Sequence, residues 1–404
     1  MTSVSSLSPP HIIMKSHRIE SIDFLRGLVM IIMALDHVRD YFHKDAFYYS
    51  PTDLSQTSVI LFFTRWITHF CAPVFVFLAG TSAYLYGIRK GKKELTYFLL
   101  TRGIWLVFVE LFIVGLFRTF NPLFPYFNLQ VIWATGISMI ALSALIHLRW
   151  HFILLSAVAL ITMHNLFDTV HISGNHPAAV LWSVLHDVNH FTFGHFQIHI
   201  HYPVLPWIGI MWAGYCLGIL YKPEFSSTIR RKLLLKSGLL AVVLFIVLRL
   251  NNLYGDANHW SIQKNIAFSL LSFLNVTKYP PSLLYILATL GPALIFLSAT
   301  ENPLKKWKER IVTLGKVPMF YYLLHILLIH LLALIGALID GYRINDMILS
   351  TRVNDDPHLK GYGFSLIIVY LIWVVLIFLL YPFCKAFSQY KATKQSQLPW
   401  LSYL

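Results

Sequence analysis

The chain has 404 residues, of which 57% are hydrophobic and only 12% charged, and its mean hydropathy is +0.63. A soluble domain of this length is excluded, since such domains carry about a quarter charged residues. The formal net charge of +14 raises nucleic acid as a partner, and the placement of the cations excludes it.

Residues 1–21 are polar, with Pro9 and Pro10, and the apolar run after them has no small-residue cleavage site. A flexible cytoplasmic N-terminus over 1–20 is expected, followed by a first helix acting as an uncleaved signal. Ten apolar segments can be marked, at roughly 22–42, 57–87, 96–118, 128–147, 151–166, 204–221, 232–250, 281–299, 317–339 and 363–384. Most reach the roughly 20 residues that a spanning helix needs. Only Arg149, Trp150 and His151 part the fourth from the fifth. The expected fold is all-α: a polytopic integral membrane protein of about ten helices. It forms one transmembrane domain over 21–386, with long outer connections at 167–203, 251–280 and 340–361 and a cytoplasmic tail over 387–404.

With both ends placed in the cytoplasm, 21 Lys and Arg fall on inner segments, nine on outer segments and two, Arg26 and Arg65, inside helices. This alternation follows the positive-inside rule. The basic charge is therefore topological, and the cations of 87–93 and 305–310 face anionic lipid or the phosphates of a cytoplasmic cofactor. Cys71, Cys216 and Cys384 fall in or beside the spans and read as small buried hydrophobes rather than a disulfide. The lack of disulfides and of long hydrophilic domains favours a bacterial inner membrane.

The first span holds Arg26 and His37. Eleven steps at about 3.6 residues per turn is close to three turns, so they share a face, roughly 16 Å apart along the axis. Asp23 and Asp36 flank them. Arg65 and His69, at i,i+4 in the second span, share a face too, and by depth His69 reaches the level of His37. Glu110 in the third span is a candidate counter-ion for Arg65 or Arg26. Single buried polar pairs are often only structural; a group of this size inside a membrane points to a site. A neutral imidazole at His37 would act as general base, with Asp36 or Asp40 orienting it. Guanidinium groups, Arg26 or Arg65 with His69 beside it, would hold a phosphate or a developing oxyanion.

The connection 167–203 has no Lys or Arg but seven histidines. His186 with His190, and His195 with His199, have helical i,i+4 spacing, which raises a metal site. Thr192, Gly194 and the alternating Gln197-Ile-His-Ile-His201 run oppose a continuous helix, and no metal is expected. The chain has no Gly-x-Ser-x-Gly elbow, His-Glu-x-x-His or Walker loop, so a serine hydrolase, a zincin and an ATPase are unsupported.

The run Arg18-Ile-Glu-Ser-Ile-Asp-Phe-Leu-Arg-Gly27, continued to Asp36-His-Val-Arg-Asp-Tyr-Phe42, resembles the opening of the heparan-α-glucosaminide N-acetyltransferase catalytic-domain family, part of a wider transmembrane acyltransferase superfamily. Further stretches fit the resemblance: Pro73 to Gly80, Tyr202 to Gly218, Lys278 to Leu283 and Gly315 to His325. It implies transfer of an acyl group, acetyl in the first instance, from cytoplasmic acetyl-CoA to an amine or hydroxyl of a sugar or glycan reached from outside. His37 would be the base or a transient acyl carrier and Arg26 would face the donor. Lys278, Tyr279 and His325 would contact the acceptor. In the lysosomal branch an Asn matches His37 and the catalytic His lies in the first outer loop, where this chain has His43. Membrane lipids and a homodimer complete the expected partners. The alternatives are a proton-coupled transporter, opposed by the lack of an inverted repeat, and a glycan-binding protein without catalysis.

Overall fold

The computed structural model describes residues 19–301, 308–395 and 397–403. Most of the polar N-terminal segment, with Lys305, Lys306 and Trp307 of the inner cationic stretch, lies outside the described residues.

Helix α1 (Glu20–Phe42) is the core of the bundle, with fifteen of its 23 residues buried. The second apolar segment divides into α2 (Val59–Trp66), a 3-10 turn (Ile67–Phe70) and α3 (Cys71–Lys90). Pro73 accounts for the break, because it offers no N–H to the carbonyl of His69 four residues back. The Tyr285 hydroxyl donates to that carbonyl instead, at 2.7 Å. Helix α4 (Lys92–Phe108) continues through a π-turn (Val109–Val114) into α5 (Gly115–Thr119). After strand β1 (Tyr126–Leu129) come α6 (Val131–Leu145), α7 (Trp150–Met163) and α8 (Pro177–Leu185). Strands β2 (Asn189–Phe193) and β3 (Phe196–Ile200) lead to α9 (Val204–Leu217) and α10 (Ser227–Asn251). The chain ends with α11 (Ile266–Leu274), α12 (Leu283–Ala299), α13 (Glu309–Gly315), α14 (Pro318–Ile339) and α15 (Leu366–Lys394).

Each of the ten apolar segments coincides with helix, but among the described residues seven stretches are long and apolar enough to cross a membrane: Val59–Lys90, Lys92–Thr119, Trp150–Phe167, Val204–Tyr221, Ser227–Asn251, Pro318–Ile339 and Leu366–Lys394. Helices α6 and α12 are apolar but shorter, and α1 carries Asp23, Arg26, Asp36, Arg39 and Asp40. Helix α10 buries four of its 25 residues and α15 four of its 29, so these two form the outside of the bundle with apolar faces turned outward.

The all-α expectation needs one correction. Strands β1, β3 and β2, in that order, make a small sheet, parallel between β1 and β3 and antiparallel between β3 and β2. Its centre is the alternating Gln-Ile-His-Ile-His run, whose period of two suits a strand. Gly194, at φ +59°, turns the β2–β3 hairpin. His190 and His199 consequently pair across strands, His186 ends α8 and His195 sits in the turn, so neither helical histidine pair forms.

Candidate active site

A cavity of about 520 Å³ opens at the end of the bundle that carries the long connections, a size typical of small-molecule sites. The last turns of α1 supply Asp36, His37, Arg39 and Asp40. Arg65, Glu110 and Arg118 come from the next two segments, and Tyr126 and Asn128 from β1. His201 and Tyr202, Lys278 and Tyr279, and Arg352 to Asp355 complete the wall. Five cations, Arg39, Arg65, Arg118, Lys278 and Arg352, face four carboxylates, Asp36, Asp40, Glu110 and Asp355. Such a lining suits a polar, hydroxyl-rich molecule.

His37 is held from behind. Its Nδ1 lies 2.8 Å from Nε2 of His325, and Nδ1 of His325 lies 3.0 Å from the Tyr321 carbonyl oxygen. A carbonyl only accepts, so His325 donates from Nδ1. With both rings neutral, His325 Nε2 then accepts and His37 donates from Nδ1. The lone pair of His37 is thereby left on Nε2, 3.5 Å from Nη2 of Arg118. A chain of hydrogen bonds ending on backbone selects the tautomer of a cavity-facing imidazole, the arrangement a general base requires.

Asp36 does not orient His37. Neighbours in a helix point about 100° apart, and Asp36 instead gathers guanidinium groups, Arg65 at 2.5 Å and Arg39 at 3.0 Å. Arg39 also reaches Asp40 at 2.6 Å, and Arg65 donates to the Tyr279 hydroxyl at 3.3 Å. The Tyr279 ring packs on His201, with centroids 3.9 Å apart, and Lys278 lies over its face. Burial by itself would raise the Tyr279 phenol; the Lys278 ammonium and Arg65 guanidinium outweigh it and bring it down to about 8. Burial, with the Arg352 guanidinium, holds His201 well below the usual histidine range, so it enters the site as a neutral ring.

Arg26 is at the far end of α1, bonded to Asp23 at 3.0 Å and to Ser82 at 2.9 Å, away from this cavity, and its expected place toward the donor is untouched by that. Three expectations are corrected. His69 does not meet His37; the 3-10 turn at about 120° per residue rotates it off the Arg65 face, and its ring packs on Tyr285. His325 lies behind His37, outside the lining. Glu110 pairs with neither Arg65 nor Arg26; its carboxylate accepts from Ile132 N at 2.9 Å and Trp133 N at 3.2 Å, capping α6 from another helix. His43, the first-loop histidine, is buried beside Asp45 and also stays outside the lining. Arg39, Arg118, Arg352 and His201 are site residues that sequence reasoning passed over. The signal existed for the arginines: all three fall on segments that the charge count assigns to the outside, against the positive-inside trend, and a cation there needs a local reason.

The family model described as heparan-alpha-glucosaminide N-acetyltransferase, catalytic, matches residues 18–249, more than half of the chain. The chain belongs to that family. No individual curated protein matches it significantly. The matched region includes Arg26, His37, Arg39, Arg65, Arg118 and His201, while Lys278, Tyr279, His325 and Arg352 lie beyond it. Membership, together with the seven apolar helices, makes this an acetyltransferase-like membrane protein and implies acetyl-CoA as co-substrate.

Proposed function

We propose that the chain is a membrane-embedded acyltransferase that moves an acetyl group from cytoplasmic acetyl-CoA to an amine or hydroxyl of a sugar or glycan held in the cavity on the extracytoplasmic side. The observation that carries this is the His325-fixed tautomer of His37, with its Nε2 lone pair beside Arg118. In the transfer, Nε2 accepts the acceptor's proton as its nitrogen or oxygen bonds to the acetyl carbon. The thioester C–S bond breaks, and the proton passes on to the leaving thiolate. The Arg118 and Arg65 guanidinium groups face the carbonyl oxygen as it gains charge, while Lys278, Tyr279 and the carboxylates of the wall hold the hydroxyls of the sugar. Arg26 anchors the donor side of α1. The same lone pair suits a transient acetyl-imidazole.

The wider placement follows. A single domain over 21–386 crosses a bacterial inner membrane about ten times, α1, α6 and α12 included, with both ends cytoplasmic; the 21-to-9 division of cations supports this. The deciding experiment measures CoA release from acetyl-CoA by detergent-purified protein, wild type beside His37→Ala, with and without a pool of amino sugars and glycans. Release stimulated by the pool and lost in the variant is expected. No release, together with transport of a labelled sugar into sealed proteoliposomes, would overturn the proposal in favour of a transporter.

A further inference from the structure

Away from the cavity, where α7 ends, three metal-ligating side chains converge: His164, Asp168 and His186. One ligand atom from each lies within 4.8 Å of the others, and His186 Nε2 is 3.1 Å from an Asp168 oxygen. His164 and His186 are each 2% exposed. Among the described residues neither ring nitrogen of His164 has a hydrogen-bond partner, nor has Nδ1 of His186. A buried imidazole with both nitrogens unanswered is costly, and a cation between the three groups would answer it. Asn165 supplies the supporting contact such sites use: its amide donates to the second Asp168 oxygen at 2.8 Å and accepts from Leu283 N at 2.9 Å. Trp182 and Phe167 pack around the His186 ring and keep it dry.

We propose that His164, Asp168 and His186 bind one divalent ion of the zinc type, with water in the fourth position. Two imidazoles and a carboxylate suit zinc, whose ligands sit at about 2.0–2.2 Å and therefore roughly 3.3 Å from one another. The His186–Asp168 pair, at 3.1 Å, already has that spacing, and the His164 nitrogen lies within 4.8 Å of both. The ion would lock the end of α7 to the end of α8 and hence to the β2–β3 hairpin. Through Asn165 it would also brace the start of α12, close to Lys278 and Tyr279. Of the histidines paired by spacing in this connection only His186 takes part; His190, His195 and His199 do not.

The test uses full-length protein without a histidine tag, stripped with chelator and titrated with zinc chloride against a chromogenic chelator, with thermal unfolding in parallel. Wild type should take up one tight equivalent and gain thermal stability. Affinity should fall at least about tenfold in His164→Gln and in the near-isosteric Asp168→Asn, and stay unchanged in His195→Gln. Uptake that survives Asp168→Asn, or that vanishes in His195→Gln, would overturn the site, as would a wild type with no stoichiometric zinc.

Discussion

Two histidines in contact decide what His37 can do. Losing a general base costs about 10²- to 10⁴-fold in rate, and His37→Ala should show a loss of that order. His325 acts through His37, so its removal should be read differently. His325→Ala should lower kcat by about tenfold or more and change the pH profile, because the His37 proton is no longer assigned to Nδ1. His325→Gln, whose amide oxygen can accept that proton, should recover part of the loss. Equal rates in the two variants would show that His325 only fills space. Tyr279 offers a second residue-scale test. Its phenol, brought down to about 8, should give an early step in a difference-absorbance titration, and Lys278→Met should move that step up. The sign follows from the lowered value: the stability this phenol adds is complete above pH of about 10, the unfolded value, and is lost as pH falls through about 8. A titration with no early tyrosine would refute the pairing.

Elements place these residues through their irregularities. The Ile67–Phe70 turn follows from Pro73, and it separates Arg65, in the site, from His69, in the packing. The π-turn over Val109–Val114 directs Glu110 to the first turn of α6. Removing that cap with Glu110→Ala should cost about 0.5–2 kcal/mol, seen as a lower thermal midpoint. Helices α3 and α9 touch along glycines: a Cβ at Gly80 would overlap the Met211 carbonyl, and one at Gly214 the Phe77 carbonyl. Thr81 donates to the Gly214 carbonyl at 2.9 Å across the same crossing. Membrane helices that lean on small residues in this way do not tolerate bulk. Gly214→Leu should therefore abolish the monodisperse peak in detergent, whereas a leucine at the exposed Tyr97 position should leave it intact.

At the scale of the molecule, charge sets orientation and the cavity sets polarity. If the cations of 89–102 are cytoplasmic, Lys93→Cys should resist a membrane-impermeant maleimide on intact cells and react after permeabilisation. Tyr48→Cys, at an exposed position beside the cavity, should react at once. Background labelling should be low, since Cys71, Cys216 and Cys384 are buried. Labelling with the opposite preference would invert the topology and place the acceptor cavity in the cytoplasm.

Period and composition carried much of this. Apolar runs of helical length marked the longer helices, though not α8, α11 or α13, because a segment that crosses lipid must satisfy its backbone within itself and so writes its length and hydropathy into local sequence. Arg26 and His37 were legible as an ionisable pair on one helix for the same reason. Long-range geometry was not. Which group faces His37 depends on His325 of α14, 288 residues away, and on the Tyr321 carbonyl that fixes it. That Asp36 binds Arg65 rather than His37, that Glu110 caps α6, and that Arg118 and Arg352 meet in one wall depend on how separate helices cross. The strands joined 126–129 to 196–200, a pairing that no local period encodes. Local order is settled by neighbours in the chain; the site is settled by which side chains the packed bundle leaves facing one another.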